Sequence, residues 1–463
     1  MNTPILAIDI GSTKICAIIG EMKNGHLEIA GHGISKSHGI KKGAISNIEL
    51  ASKSIKDAVD DAKRVAGINL TRATISISGA YVKSLKSSGV VNIPNQEISI
   101  NEINRVMQTA LYNANIPNEF EILHVLPYKF KIDEQDFIED PNGMNASRME
   151  VDTHIIMTGK SNLGNLKKAV NAAGIDISKV VLSGYASSLA VISDDDKERG
   201  VAVIDLGGQT SNLVIHVGNS IQYNDFLSVG SNHITNDLSI ALHTPIESAE
   251  KLKIEKGSLF QKEPEELQLA IIGDEKNLNS VSLDIIHSII YSRMEETLSI
   301  LANNLEKSGL KNQLGAGLVL TGGMTRIEGT RELAQALMPN LPVRIGKPTN
   351  ITNISKDLDS AEFATVIGLI YYESGKHTEY ELEGSKTMLH SKDHRPKNSL
   401  QDIADIQDVD NNISKPKISV STPSFNDENK DDSNDLFKDL SQEPKNNQNN
   451  PLQSFMQWAS KIF

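Results

Sequence analysis

The sequence predicts an α/β protein of two similar halves, with a small α+β subdomain inserted in the first half and a tail of different composition. Three observations lead to this prediction. A glycine motif follows an apolar strand twice, at residues 8–15 and 204–211. Strand-like and helix-like patterns alternate on both sides of residues 83–162 but not within them. After about Gly375 large apolar residues become scarce.

These changes in pattern set the expected domain boundaries. The first half covers 1–82 and continues at about 163–193 and at the end of the folded body; the insertion covers 83–162; the second half covers 194–375, with a nested subdomain at about 226–308; a disordered linker covers 376–450; and an amphipathic helix covers 451–463. The linker is rich in Asn, Asp, Ser, Lys and Gln, so it cannot bury enough apolar surface to offset its conformational entropy.

The spacing of apolar residues predicts the individual elements. The expected strands are Ile5–Ile10, Ile15–Ile19, Ala73–Ser78, Val90–Ile93, Phe120–Val125, Tyr128–Ile132, Val151–Thr158, Lys179–Ser183, one that begins at Val201, Leu213–Val217 and Gly317–Leu320. The expected helices are Ile48–Val65, Asn101–Ala114, Leu163–Ala173, one that ends near Ile192, Ser231–Leu242, Pro245–Glu255, Leu283–Lys307 and Ala361–Tyr372. Residues 194–200 are expected to form a solvated turn.

Composition restricts the classes of function. Hydrophobic residues make up 39% of the chain, which supports large packed cores, and the net charge is −13. A general nucleic-acid binder carries a basic surface, so no nucleic-acid partner is expected. The one cysteine, Cys16, lies in an apolar run and is predicted to be a buried strand residue rather than a reactive thiol. No apolar run approaches the roughly 20 residues needed to span a bilayer, and we expect a soluble body in a reducing cytoplasm.

The repeated motif is the strongest functional signal. Its first copy is Asp9-Ile10-Gly11-Ser12-Thr13-Lys14, and its second is Asp205-Leu206-Gly207-Gly208-Gln209-Thr210. Each copy follows an apolar strand and leads into another. One copy alone is equally typical of an ordinary hairpin turn. Two copies at matching positions in two α/β halves favour two phosphate loops that hold one nucleoside triphosphate.

The residue types in both loops suit phosphate and magnesium. Backbone N–H groups of a glycine-rich turn can approach phosphate oxygens without a Cβ in the way. Lys14 can place a compact positive charge on the phosphates. Hydrated Mg²⁺ prefers carboxylates together with water, which predicts that Asp9 and Asp205 hold the ion through water. Three hydroxyls can donate to phosphate as well, those of Ser12, Thr13 and Thr210.

A third glycine motif, Thr321-Gly322-Gly323-Met324, ends an apolar strand. Such a turn lets a flat base or ribose lie against the backbone, although a plain strand-to-helix turn has the same pattern. The GxxxxGK[ST] pattern of P-loop enzymes does not occur in the sequence, so the triphosphate is not held by that kind of loop.

Two phosphate loops followed by a late Gly-Gly turn resemble the actin/Hsp70/sugar-kinase ATPase superfamily. Within it, the insertion at 83–162 and the acidic tail with an amphipathic end resemble the FtsA family of bacterial cell-division proteins. The stretches Ala186–Val191 and Gly230–Leu238 are similar to FtsA sequence too. The resemblance covers about residues 4–372 and the terminal helix.

The resemblance implies an actin-like two-lobed fold with two ribonuclease H-like halves and with ATP between them. It also implies filament formation by the chain itself, and recruitment of the tubulin-like FtsZ to the cytoplasmic face of the membrane at the division septum. The insertion would bind other division proteins. Glu250 and Lys253 match the family's Glu-x-x-Lys pair, which would reach the ribose and base together with Gly322, Gly323 and Met324. A surface ion pair explains the spacing of Glu250 and Lys253 equally well.

Two departures from the superfamily pattern bear on ATP hydrolysis. Gln209 stands where many relatives carry a third glycine. Efficient ATPases of the superfamily carry a Gln or Glu shortly before the second loop that positions the attacking water. The corresponding stretch here, Ser183–Ile192, contains no carboxylate and no carboxamide. We therefore expect ATP to be bound tightly and hydrolysed slowly at most.

The last residues form a predicted membrane-binding helix. Asn450 and Pro451 are a typical helix start. A helix of about 13 residues is roughly 20 Å long, which is too short to span a bilayer but long enough to lie on its surface. Docking on a protein partner is the alternative use. The apolar face consists of Leu452, Phe455, Met456, Ala459, Ile462 and Phe463, with Trp458 beside it.

Other assignments stay open at this point. Arg293, in a helix similar to the FtsA region that receives the FtsZ C-terminal tail, could pair with an acidic peptide, but a solvated helix face fits as well. One alternative function is a small-molecule kinase of the same fold, for which the terminal helix has no purpose. Another is an FtsA-like pilus-assembly interaction protein.

Overall fold

The computed structural model describes residues 3–260, 263, 265–352 and 358–390, without the side chains of 274–276. Within them the strands are β1 (Ile5–Ile10), β2 (Lys14–Lys23), β3 (His26–Lys36), β4 (Ile40–Lys41), β5 (Ala44–Ile45), β6 (Arg72–Ile77), β7 (Val82–Asn92), β8 (Phe120–Ile132), β9 (Gln135–Ile138), β10 (Arg148–Gly159), β11 (Asp176–Leu182), β12 (Val201–Leu206), β13 (Ser211–Val217), β14 (Ser220–Leu227), β15 (Glu266–Ile271), β16 (Asp274–Ser282), β17 (Leu318–Thr321), β18 (Val343–Ile345), β19 (Ile351–Thr352) and β20 (Leu382–Glu383).

The helices of the described residues connect and cover these strands. They are α1 (Ile48–Ala66), α2 (Ile100–Asn113), α3 (Lys160–Ala172), α4 (Ser183–Val191), α5 (Asp194–Arg199), α6 (Ser231–Ala241), α7 (Ile246–Lys256), α8 (Leu283–Lys307), α9 (Thr330–Leu337) and α10 (Ala364–Glu373).

Two sheets repeat one strand order, and this repeat defines the two halves. The first sheet has the order β11-β6-β1-β2-β3, with β19 added beside β3, and the second has the order β14-β13-β12-β17-β18. In each sheet a three-stranded antiparallel meander is followed by two parallel strands. β1 and β12 therefore occupy equivalent central places, and each carries its aspartate one residue before its end.

Helices α4 and α10 pack against each other and join the halves. Gly368 of α10 lies so close to α4 that a Cβ there would be 1.7 Å from the carbonyl oxygen of Ala186. One buried apolar cluster runs through this crossing and includes residues of both sheets, such as Ile18 and Val203. The crossing therefore requires a residue without a side chain at position 368.

The insertion forms its own sheet and core. Its strands are ordered β20-β8-β10-β7, with β9 on β8, and α2 packs on one face. Helix α2 begins at Ser99, whose side chain forms a capping box with Glu102. A separate apolar cluster around Met107 and Ile155 fills the space between helix and sheet.

The sequence predicted the longer helices and the central strands of both sheets to within a few residues, but β7, expected at Val90–Ile93, begins at Val82, and other elements differ as well. Phe120–Val125 and Tyr128–Ile132 are one strand, β8, which continues past Pro127 through a register irregularity opposite Asp152 and Thr153. Residues 194–200, expected to be a turn, contain the short helix α5, because Ser193 and Asp196 cap it reciprocally. The long strand β3 was not predicted, since Gly31 and Gly33 interrupt its apolar pattern.

The expected start of the linker at residue 376 is wrong. Residues 376–390 belong to the folded body, where β20 pairs with β8 and the Glu381 side chain is fully buried. Composition is misleading here because a few well-buried residues hold the segment. Tyr380 and Leu382 join the apolar core of the insertion. The carboxylate of Glu381 lies 2.6 Å from Nδ1 of His124 and accepts a hydrogen bond from the hydroxyl of Tyr372 at 2.7 Å. The rest of the predicted linker lies outside the described residues.

Two helical glycines allow a matched test of the helix crossing. We expect Gly368→Ala to lower the free energy of unfolding by roughly 1–3 kcal/mol, because the new methyl group overlaps α4 and overpacking costs that much. Gly164→Ala, in α3 with open space around it, should instead raise stability by up to about 1 kcal/mol through helix propensity. Denaturant unfolding measures both, and equal effects of the two substitutions would show that the crossing tolerates a side chain.

Candidate functional site

The two predicted phosphate loops are the turns of equivalent hairpins. Asp9 pairs with Cys16 across the first hairpin, and Asp205 pairs with Asn212 across the second, so the two aspartates hold the same register position. The turns are also alike in shape: a Cβ at Gly11 would lie 2.7 Å from the carbonyl oxygen of Lys14, and one at Gly207 would lie 2.8 Å from that of Thr210. The repeated motif in the sequence therefore corresponds to a repeated hairpin in the structure.

The loops face each other across a cleft between the halves. Gly208 of the second loop lies against Thr13 of the first, where a Cβ would be 1.8 Å from the threonine hydroxyl. The cavity has a volume of about 380 Å³, within the usual range for small-molecule sites. It is lined by every residue that the sequence predicted for nucleotide: Asp9, Gly11, Ser12, Thr13, Lys14, Asp205, Gly207, Gly208, Gln209, Thr210, Glu250, Lys253, Gly322, Gly323 and Met324.

Both aspartates lie in this cleft, Asp205 buried and Asp9 partly buried. Asp9 accepts a hydrogen bond from the Ser76 hydroxyl at 2.8 Å, and Asp205 accepts one from the Thr365 hydroxyl at 3.2 Å. Burial raises the pKa of Asp9, and burial together with the nearby charge of Asp9 raises the pKa of Asp205 to about 6. Two neighbouring carboxylates that repel each other are stabilised by a divalent cation, so the donor set fits magnesium.

The ammonium group of Lys14 is held by a carboxylate of the chain. Its Nζ lies 2.7 Å from Oε2 of Glu362 and 3.8 Å from the centre of the Phe363 ring. The second oxygen of Glu362 accepts a hydrogen bond from Arg326 at 3.0 Å. These cationic partners hold the pKa of Glu362 below its usual value despite its partial burial. A phosphate that binds Lys14 must therefore compete with Glu362.

The predicted adenosine turn also lines the cleft, next to Asp205. Gly322 has a φ of 88°, and a Cβ there would lie 2.4 Å from Oδ1 of Asp205. Met324 is buried and lines the cavity.

The Glu250–Lys253 pair also makes contacts within the protein. Lys253 is buried, and its ammonium donates to Glu250 at 2.7 Å, to the Thr235 hydroxyl at 2.8 Å and to the carbonyl of Ser231 at 3.2 Å.

Several cleft residues were missed by sequence reasoning. Glu362 comes from the segment before α10, Thr365 from the first turn of α10, and Arg326 from the turn after β17. Ser76 was detectable as a polar residue within a predicted buried strand. Asn212 lies beside Asp205, and its buried Oδ1 has no hydrogen-bond partner among the described residues. Its register position opposite the motif aspartate was the available signal.

Helix α8 carries Arg293, which the sequence predicted as a partner contact. The guanidinium is half-buried and donates to both oxygens of Asp237, at 2.6 and 3.0 Å, and also contacts Glu296. An acidic peptide that binds Arg293 would therefore have to displace Asp237 or Glu296 from the guanidinium.

The predicted membrane-binding residues 452–463 lie outside the described residues. Among the described residues, no helix is long and apolar enough to cross a bilayer.

Known proteins share both parts of this architecture. Residues 202–368 match the family described as cell division protein FtsA, and residues 79–157 match the SHS2 domain inserted in FtsA. The FtsA of Helicobacter pylori strain 26695 is 41% identical, over 81% of this chain and 83% of its own length. The FtsA of Pseudomonas aeruginosa is 31% identical, over 81% of this chain and 90% of its own length.

A solved structure supports the fold alone. The PilM–PilN type IV pilus biogenesis complex matches with a TM-score of 0.57 at 16% identity, covering 80% of this chain and 98% of that one. Two halves of one strand order around a cleft, with an α+β insertion, define an actin-like protein. The matches to both FtsA models and to the FtsA relatives narrow this class: the chain belongs to the FtsA family of cell-division proteins.

The raised pKa of Asp205 predicts a pH-dependent stability. A carboxyl whose pKa is higher in the folded state stabilises the fold below the unfolded value near 3.8, and this contribution is lost as pH rises through about 6. At pH 7.5 without ligands, the free energy of unfolding of Asp205→Asn should therefore exceed that of the wild type by up to about 3 kcal/mol, as measured by denaturant unfolding. This difference in the free energy of unfolding should shrink towards pH 4.

A matched control uses an aspartate away from the cleft. Asp57 is exposed on α1, and Asp57→Asn should change the free energy of unfolding little at either pH. Parallel pH profiles for Asp205→Asn and the wild type would show that the Asp205 carboxylate carries no burial penalty.

Proposed function

We propose that the chain binds ATP with Mg²⁺ in the interlobe cleft and acts as an actin-like, membrane-attached polymer of the division machinery. One observation carries the nucleotide part: every residue predicted for phosphate, magnesium and adenosine lines a single cavity, although these residues come from distant parts of the sequence. The family membership supports the division part.

Asp9 and Asp205 are the residues that would hold the magnesium ion, through water. The two carboxylates fit a divalent cation because the pKa of each stays raised, despite hydrogen bonds from neighbouring hydroxyls and the charge of Lys14. When bound, the ion would neutralise charge on the β- and γ-phosphates. The backbone of the Gly11 and Gly207 turns would donate to phosphate oxygens, and Ser12, Thr13 and Thr210 would add hydroxyl donors.

We propose that ATP acts mainly as a clamp between the halves and is hydrolysed slowly. Helix α4, which covers the stretch where efficient relatives carry the water-positioning residue, brings hydroxyl groups to the site: Ser183 lines the cavity, and Ser187 bonds to Asp205. Two other groups that could hold a water are already engaged. Glu362 is paired with Lys14, and Oε1 of Gln209 accepts from the backbone of Lys42 at 2.7 Å.

Nucleotide titration tests this proposal. Wild-type protein should bind a fluorescent ATP analogue with Mg²⁺, and single-turnover hydrolysis should proceed on the order of 10⁻³ s⁻¹ or slower. Lys14→Ala should weaken binding roughly 10- to 100-fold, because it removes a charged donor and leaves Glu362 facing the phosphates. Lys53→Ala, on the exposed face of α1, is the control. A lack of ATP binding, or rapid single-turnover hydrolysis, would overturn the clamp.

The membrane part of the proposal depends on residues 451–463. Each large apolar side chain that enters the lipid surface contributes about 1.5–3 kcal/mol, and folding so short a helix consumes much of that. Lys461 is the one cation in the helix, so attraction to anionic lipid is weak. One copy would bind marginally, whereas many copies on a filament would bind firmly through avidity. Polymerisation would thereby control attachment.

Liposome co-pelleting tests this coupling. Deletion of 451–463 should abolish pelleting, and Phe455→Glu should reduce it strongly because a charge enters the apolar face. Gln457→Glu adds the same charge on the polar face and should have a much smaller effect. ATP should increase pelleting of the wild type by favouring the polymer. Unchanged pelleting after the deletion would exclude this helix as the anchor.

We further propose two partner surfaces, one near Arg293 and one on the insertion. The chain would anchor the FtsZ ring to the cytoplasmic membrane at the septum by binding the FtsZ C-terminal tail near Arg293. An acidic residue of that tail would replace Asp237 or Glu296 on the guanidinium. The insertion, with its separate core, would recruit later division proteins.

A further inference from the structure

A short hairpin of the first half lies at the phosphate end of the cleft. Strands β4 and β5 are joined by Lys42 and Gly43, which have φ angles of 49° and 79°. Positive φ at both central residues is the geometry of a type I′ turn, the tight connection that suits twisted hairpins. Gly43 also fits closely against the end of β6, since a Cβ there would be 2.1 Å from the Ser78 hydroxyl. The turn is therefore held in one position.

This turn donates one hydrogen bond to each phosphate loop. The backbone N–H of Gly43 donates to the Ser12 hydroxyl of the first loop at 2.8 Å. The backbone N–H of Lys42 donates to Oε1 of Gln209 in the second loop at 2.7 Å. The turn belongs to the first half, so only the second of these bonds crosses from one half to the other.

Gln209 makes this crossing with its side chain. A glycine at position 209 would have no atom that could reach Lys42, so the bond depends on the glutamine. It adds to the direct contact of Gly208 with Thr13, and together they bridge the two loops beside the cavity. The bridge must open, at least in part, for the halves to separate.

We propose that Gln209 and the Lys42–Gly43 turn form a clasp that limits the rate of nucleotide exchange. This inference rests on the proposed nucleotide site and concerns its kinetics rather than its chemistry. Gln209 acts as a positioning residue that holds the second loop against the first half. Because the clasp acts on separation of the halves, it slows the release of ATP and ADP alike.

Stopped-flow displacement of fluorescent ATP and ADP analogues, each with Mg²⁺, tests the clasp. Gln209→Met keeps the length of the side chain and removes the acceptor, and it should speed dissociation of both nucleotides roughly two- to tenfold, the equivalent of one hydrogen bond. Gln209→Gly should do the same. Lys41→Ala removes a charge from the same hairpin without touching either bond and should leave both rates unchanged. Thermal unfolding without nucleotide checks that the variants fold.

Three results would overturn the clasp, and each has a different meaning for the site. Faster release of ATP alone would assign Gln209 to the terminal phosphate instead. Unchanged rates for Gln209→Met, with binding intact, would overturn the clasp while the proposed function stands. If the wild type bound neither nucleotide, the proposed function would fail and the clasp with it.

Discussion

The close crossing of α4 and α10 is the constraint on which the rest of the molecule depends. The helices approach so closely at Gly368 and Ala186 that a single methyl group would separate them. Each helix also begins at the cleft, α4 with Ser183 and α10 directly after Glu362 and Phe363. The packing distance between the helices therefore sets how far Thr365 lies from Asp205 and how far Glu362 lies from Lys14. A core contact thus determines the geometry of the polar site.

The cations of the cleft are paired with carboxylates of the protein itself. Lys14 and Arg326 are paired with Glu362, and Lys253 is paired with Glu250. Asp9 and Asp205 have no such cation in direct contact among the described residues, and burial raises the pKa of both. A site of this kind does not attract bare phosphate strongly. It suits a ligand that brings its own divalent cation and relies on backbone donors for its phosphates.

The insertion is connected to this core through buried polar groups rather than apolar surface alone. The carboxylate of Glu381 accepts hydrogen bonds from Tyr185 of α4 at 3.0 Å and from Tyr372 of α10 at 2.7 Å, and it contacts His124 of β8. Burial and the carboxylate raise the pKa of both tyrosines, so their hydroxyls stay protonated donors. A residue beyond the predicted end of the fold thereby links the insertion to the crossing helices.

The sequence by itself determined the local features and the family. Apolar spacing predicted β1, α1, α2 and α8 closely, and the repeated Asp-x-Gly motif predicted the paired loops because each loop is a short turn whose geometry its own residues impose. Only the tertiary structure decided contacts between distant residues. Glu362 meets Lys14 across 348 positions, Glu381 meets His124 across 257, and Gln209 meets Lys42 across 167. No local pattern encodes such pairs, because they form only when the fold brings distant segments of the chain together.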